Sequence, residues 1–294
     1  MNYKQIDAAS YDRIAAEFDH LAERLIAPIA MRMIRLARLR SSDCILDVGT
    51  GTGLVALRAA RLLTEGRVSG IDHSQGMIEQ ACAKARCRGL GDFVTFRRSD
   101  AEQLDCSDQS FDVVLSLYAL FHFPDPLRAL AEMYRVLRPG GRVVLGVGSG
   151  PSPLSRKGIW QGARRITDIV AAARGRLLIA PQFLRRLMVE HGMSLNETQG
   201  PPTSQPGTER MLRQVGFKCI HKDWQGHRED LDPEDFWRVQ VTFASRERIR
   251  LQEASAQEIA SLKQEFVERC RRVQANGGRL IYPHGAMLYA GMRG

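Results

Sequence analysis

Three glycines separated by single threonines, Gly49-Thr50-Gly51-Thr52-Gly53, follow the short apolar run Ile45-Leu46-Asp47-Val48, and a helical pattern begins at Leu54. Glycine is needed where a strand turns sharply into a helix and the backbone must approach a ligand with no Cβ in the way. Nineteen residues past Gly53, Asp72 closes the next apolar run. A carboxylate there can accept from both hydroxyls of a ribose, so loop and acid together suit a nucleoside. By itself Asp72 would serve equally as a helix N-cap or turn residue. A dinucleotide site would call for Gly-x-Gly-x-x-Gly; the spacing 49, 51, 53 departs from it, and no Tyr-x-x-x-Lys pair for hydride chemistry is present.

Proton chemistry has one well-placed candidate. His122 lies just after the apolar run Phe111–Ser116, where α/β sheets open at their carboxyl ends. Imidazole titrates near neutrality and takes a proton without prior activation. A structural histidine bonded to a loop carbonyl is an equal reading. Tyr118 and Tyr11 could line the same mouth, although tyrosines more often pack with a satisfied hydroxyl. His284, behind Tyr282-Pro283, reads as a turn residue before it reads as a base. No closely spaced histidine–carboxylate set argues for a metal.

The elements that must carry these residues alternate. Strands are predicted at Cys44–Val48, Val68–Ile71, Val94–Arg97, Phe111–Ser116 and Arg142–Val147, with helices at Leu54–Leu63, Gly76–Cys87 and Leu127–Leu137 between them. Strands separated by helices imply a parallel sheet covered on both faces. Apolar spacing predicts helix over Tyr11–Leu39, broken at Pro28. Pro139-Gly140-Gly141 should stop the helix before the fifth strand. Beyond a Gly/Pro/Ser-rich hinge at 148–153, helices are expected at Ser155–Arg174, Gln182–Glu190 and Thr208–Val215, a strand at Phe217–Lys222, helix over Pro233–Gln274 and a strand at Arg279–Met292. The expected organisation is N-terminal helices over 1–43, an α/β core over 44–150, a helical cap insertion over 151–207, and the end of the core over 208–294 with a second helical insertion at about 230–275.

These motifs resemble class I S-adenosylmethionine-dependent methyltransferases. Asp47 to Gly53 is similar to that family's first motif, Gly70-Ile71-Asp72-His73-Ser74 to the acidic motif, and Ser99-Asp100-Ala101-Glu102 to the adenine segment. Phe111–Ser116 with His122 and Asp125-Pro126 resembles the fourth-strand motif, and Tyr134 to Gly141 the helix and turn before strand five. The motifs keep the family's order over residues 44–147. Tyr11 to Asp19 is similar to the first helix of the branch that includes quinone-biosynthesis methyltransferases. The resemblance implies a doubly wound, mostly parallel seven-stranded sheet, S-adenosylmethionine as cofactor, and methyl transfer to a small molecule. It also implies cofactor contacts from Tyr11, Asp47, Gly49, Thr50, Gly51, Gly53, Asp72, His73, Met77, Asp100, Ala101, Ser116 and Leu117. The branch often carries a carboxylate at 118 and a histidine at 121, where this chain has Tyr118 and Phe121. An RNA methyltransferase and a binding-only S-adenosylmethionine protein are the alternatives. The DNA base-modifying kind is disfavoured because Ser116–Ala119 reads Ser-Leu-Tyr-Ala instead of (Asp/Asn)-Pro-Pro-Tyr.

Composition narrows partners more than fold. The chain of 294 residues has 44% apolar residues, 26% charged residues and a net charge of +9, ordinary for a globular protein apart from the charge. Between Pro151 and Glu190 eight basic residues face two acidic ones, a net of +6. On a helical wheel the apolar residues from Ile159 to Ala173 share one face and the cations the other. A solvated basic face is one reading. The other is that Trp160, Arg164 and Arg165 hold an acceptor both apolar and anionic, because a buried anion demands a paired cation. No RNA-binding module can be read, so no stable nucleic-acid partner is expected. Six cysteines without a Cys-x-x-Cys pair point to reduced thiols. No run is long and apolar enough to span a bilayer and the first residues lack a secretory layout, so the expected location is cytoplasmic.

Overall fold

The architecture comes from a computed structural model that describes residues 3–148, 168, 171–172, 174–179, 182–193 and 207–294. The first five strands are β1 (Cys44–Val48), β2 (Arg67–Asp72), β3 (Val94–Arg98), β4 (Phe111–Leu117) and β5 (Leu137–Gly148). The middles of β4 and β5 are continuous apolar runs, Val113-Val114-Leu115 and Val143-Val144-Leu145, fully buried, because an inner parallel strand has helices over both faces; the edge strand β3 is largely exposed. β6 (Leu177–Ile179), β7 (Lys218–Asp230) and β8 (Arg279–Met292) complete the strands. The sheet order is β3-β2-β1-β4-β5-β8-β6, with β7 beside β8. Pairing is parallel from β3 to β5, and β8 runs antiparallel to β5 with Leu145 opposite Tyr289.

The chain divides into two units, the first made of 1–149, 201–225 and 286–294, the second of 150–200 and 226–285. Seven strands contribute to the first unit, the doubly wound sheet that the motifs imply; β6 lies wholly in the second. In the first unit β1 sits between β2 and β4. The chain therefore leaves β1 toward one side and later returns on the other, and the crevice at this switch point is where such sheets bind ligands.

Helices of the first unit are α1 (Tyr3–Asp12), α2 (Ala15–Leu25), α3 (Ala27–Ala37), α4 (Leu54–Ala60), α5 (Gln75–Cys87), α6 (Pro126–Val136) and, in this numbering, α8 (Thr208–Val215). The helix expected over Tyr11–Leu39 with a break at Pro28 is thus three helices, beginning at Tyr3. Arg13 and Ile14 interrupt the first, and Pro28 stands in the first turn of α3, where its missing N–H costs no bond. Asp125 caps α6 through the Arg128 amide at 3.0 Å, with Pro126 next. The Pro139-Gly140-Gly141 stop lies inside β5: pairing with β4 jumps from Phe111–Leu137 to Val113–Arg142, and Gly140 has φ +75°. Arg293 closes that corner by donating to the Tyr134 and Arg135 carbonyls at 2.8 and 2.9 Å, which satisfies the free end of α6.

The second unit contains β6 and α7 (Gln182–Glu190), then α9 (Pro233–Phe243), α10 (Ser245–Gln252) and α11 (Ala256–Ala275). The one helical stretch expected over 233–274 is three helices, broken at Ala244 and again where Ser255 and Glu258 form a reciprocal capping box, a start signal within a helical pattern. Its core is aromatic: Phe266 packs on Phe183, Phe236 and Trp237 at ring distances of 4.8, 5.7 and 5.2 Å. β7 runs to Asp230, eight residues past the predicted end at Lys222.

Candidate active site

The three glycines after β1 share one backbone reason to be glycine and differ in what surrounds them. All have positive φ, +70°, +54° and +79°, the left-handed region that penalises a side chain. A Cβ at Gly49 would lie 2.2 Å from the Ala119 Cβ, and one at Gly53 would lie 2.9 Å from Phe96. Both positions are closed by the protein's own packing. At Gly51 the nearest atom would be Phe18 Cε1 at 3.8 Å, so the loop presents open backbone there.

Hydrogen bonds hold this loop from below. The Gly49 and Thr50 amides both donate to the Ile71 carbonyl at 2.9 Å. Asp47, buried in β1, accepts from Thr50 Oγ1 at 2.7 Å and from the Ala56 amide at 3.1 Å. Burial pushes the Asp47 carboxyl up to about 7, with the nearby Asp72 charge adding to it and the two hydrogen bonds opposing. Its side chain is therefore turned into the loop and the start of α4. Asp72, at the end of β2, accepts from the Gly51 amide at 2.8 Å and from the Ser74 amide at 3.0 Å. Burial raises its carboxyl above the ordinary range against these bonds and the charge of His122. The Asp72 carboxyl, held by amides of Gly51, Ser74 and His73, retains acceptor lone pairs beyond these bonds, the requirement for accepting ribose hydroxyls beside an open Gly51. These residues fit a nucleoside.

The ends of β3 and β4 supply the remaining sides. Asp100 accepts from the Glu102 amide at 2.8 Å and from Lys4. Burial alone would raise its carboxyl, but these bonds outweigh burial and hold it below the usual range. His73 is lowered by burial and by the cations of Lys4 and Arg98. Ala101 and Met77 are buried, and Leu117 is partly so. The buried Ser116 Oγ and Tyr118 Oη have no hydrogen-bond partner among the described residues. Tyr118 holds φ +61°, a costly conformation for a non-glycine residue, and burial pushes its hydroxyl well above the usual phenol range. Trp160, Arg164 and Arg165 lie outside the described residues.

Helix α1 reaches this end of the sheet with residues that pattern reading passed over. Lys4 binds Asp100 and, at 3.0 Å, Glu102. Asp7 meets His122 Nδ1 at 2.8 Å. Asp12 accepts from Ser74 Oγ at 2.6 Å and from the Gly76 amide at 2.8 Å, acting as a second cap for α5. A Cβ on Gly76 would stand 2.8 Å from the Asp12 backbone. Tyr11 lies edge-on to His122 with ring centres 5.8 Å apart. The one signal for Lys4, Asp7 and Asp12 is a run of polar residues at roughly one-turn spacing, which any solvated helix shows as well. Among the described residues no group of three or more His, Cys, Asp or Glu could hold a metal ion.

Residues 46–145 match the family described as a methyltransferase domain. Nocamycin O-methyltransferase of Saccharothrix syringae is 35% identical over 219 residues, 72% of this chain and 74% of that protein. The ubiquinone/menaquinone biosynthesis C-methyltransferase of Bdellovibrio bacteriovorus is 34% identical over 142 residues, 47% of this chain and 57% of that one. In the latter case the chain spans little more than half the relative's length. Among solved structures, the cyclase SpnF superposes with a TM-score of 0.58 at 20% identity, covering 99% of this chain and 97% of that one, a likeness of fold alone. The chain belongs to the class I S-adenosylmethionine-dependent methyltransferases. S-adenosylmethionine is the cofactor of that family.

Proposed function

We propose that this protein transfers the methyl group of S-adenosylmethionine to a small-molecule acceptor, in the cytoplasm, by in-line displacement. The observation that carries the reading is the pairing of an open, left-handed Gly51 with the Asp72 carboxylate 2.8 Å from its amide. When bound, the sulfonium supplies both the methyl group and a good leaving group. What remains for the protein is alignment of the acceptor and removal of its proton.

In this reading Asp72 takes the ribose and the Asp100-Ala101 turn borders the adenine. Tyr11, Thr50, His73, Met77, Ser116 and Leu117 line the remaining sides, and Asp47 shapes the loop from beneath. His122 takes the acceptor's proton at Nε2, the nitrogen not engaged by Asp7. Tyr118 offers the acceptor a hydroxyl that has no partner among the described residues. A small molecule is favoured over RNA because the relatives' names refer to ubiquinone/menaquinone biosynthesis and to nocamycin; one is a C- and the other an O-methyltransferase, and proton removal by His122 serves either. An acceptor both apolar and anionic, held by Trp160, Arg164 and Arg165, is the finer form of the proposal. The cytoplasmic assignment draws support from six free cysteines.

The test is calorimetric titration of S-adenosylhomocysteine, followed by transfer of labelled methyl to a panel of quinols and phenols. Binding without transfer to any member would leave the binding-only alternative. Absence of binding would overturn the reading altogether.

A further inference from the structure

Asp7 is a carboxylate with an unusual position. Its side chain is 7% exposed, and it faces a histidine 115 residues away in the chain. A buried carboxylate is expensive unless a partner or hydrogen bond compensates it, so its presence needs a reason. Within α1 it stands between two anchors, Lys4 on Asp100 and Glu102, and Asp12 on Ser74 and Gly76. The neighbouring Ser10 is also buried and donates to the Asp7 carbonyl at 2.6 Å. The helix is thus held at both ends with Asp7 at mid-span.

The contact is with one ring nitrogen. Oδ2 of Asp7 lies 2.8 Å from Nδ1 of His122. A carboxylate partner that accepts from Nδ1 puts the ring proton there and leaves Nε2 its lone pair. The Tyr11 ring, at 72° to the imidazole, stands beside it. Among the described residues, the groups bearing on this imidazole include Asp7 and Tyr11 from α1 and the Asp72 carboxylate from the end of β2.

We propose that Asp7 is the positioning residue for His122, holding the imidazole in the Nδ1–H tautomer so that Nε2 is the proton acceptor. The base then exists in working form only while α1 is docked. This rests on the reading of His122 as the base, and the two can fail separately.

The test is long-range nitrogen–proton NMR of the His122 ring in the full-length protein with S-adenosylhomocysteine, on wild type and Asp7→Asn. Wild type should show the Nδ1–H tautomer at neutral pH. In Asp7→Asn the tautomer preference should weaken, and the acid limb of the kcat profile should move down by about one pH unit, as expected when an imidazolium loses a carboxylate partner. At pH 7 kcat should fall roughly 10- to 100-fold with the cofactor's Kd unchanged, and Asp7→Asn should add little to His122→Ala. An Nε2–H tautomer in wild type would overturn the proposal, whatever the variant does. So would a pH profile unmoved in a folded Asp7→Asn protein. If His122→Ala keeps full kcat while the tautomer depends on Asp7, the base reading fails and the positioning contact stands.

Discussion

Two imidazoles, one in each unit, live in opposite surroundings. His122 is partly exposed, bonded to a carboxylate, and set among the polar ends of β2 and β4. His284 is buried and walled by rings: Tyr282 at 4.3 Å, His227 at 5.6 Å and Phe243 at 5.8 Å. Its Nε2 has no hydrogen-bond partner among the described residues. Burial, with the charge of His227 adding to it, pushes its imidazole down to about 3. One side chain type thus has the surroundings that the proposed proton transfer needs where a carboxylate and solvent attend it, and is a neutral ring where neither does. Which role a histidine takes is set by its neighbours.

The largest effect that could break this contrast lies at the first unit's carboxylates. Asp72→Ala should remove two charge-assisted bonds to the ribose, each worth ~1.5–3 kcal/mol. S-adenosylhomocysteine affinity should then drop by about two to four orders of magnitude in calorimetry. An unchanged Kd would show that the first unit's polar end does not hold the nucleoside.

Asp47 sharpens the contrast in stability. Its folded carboxyl stands at about 7 against 3.8 for a free one, so the folded state binds the proton more tightly. Stability from this group is full below pH ~4, declines as pH rises to ~7, and is level above that, a loss on the order of 4 kcal/mol. Asp47→Asn keeps an acceptor for Thr50 and Ala56 without the charge. In urea melts the variant should gain on wild type steadily between those limits; parallel curves would mean the carboxyl is not strained by burial.

His122→Ala should lower kcat by about 100-fold at saturating acceptor, the usual worth of a general base, with cofactor affinity kept. A full rate would place His122 among scaffold residues and make the two histidines more alike than their surroundings suggest.

The smallest effect concerns His284. Its folded imidazole is depressed to about 3 from 6.5, so its contribution is present above pH ~6.5 and is lost as pH falls toward ~3. At pH 5 that loss is about 2 kcal/mol. His284→Leu should resist acid better than wild type by about that margin in urea melts at pH 5 and match it more closely at pH 7.5. Equal acid sensitivity would show the ring to be solvated.

Much of this was legible from residue order. Gly49 to Gly53, Asp72 and the strand–helix alternation are local signals, because a strand-to-loop turn and a buried parallel strand impose residue types within a few positions. Pattern reading misplaced what depends on partners elsewhere. Pro139-Gly140-Gly141 stops helices in general, yet here a β4 neighbour draws Leu137 into the sheet. Likewise Ser255 interrupts a helical pattern that periodicity alone runs straight through.

By itself, then, the sequence determined the cofactor loop, the acid that answers it and the parallel sense of the first five strands, since each follows from spacing along the chain. Only the tertiary structure decided which glycine is open, that Asp47 turns inward, and that Asp7 meets His122. These depend on atoms brought within 3 to 4 Å from positions as far as 115 residues apart. Nothing in local periodicity distinguishes a carboxylate that will be buried against an imidazole from one that will stay in water, because its burial is a property of the surface that α1 lands on.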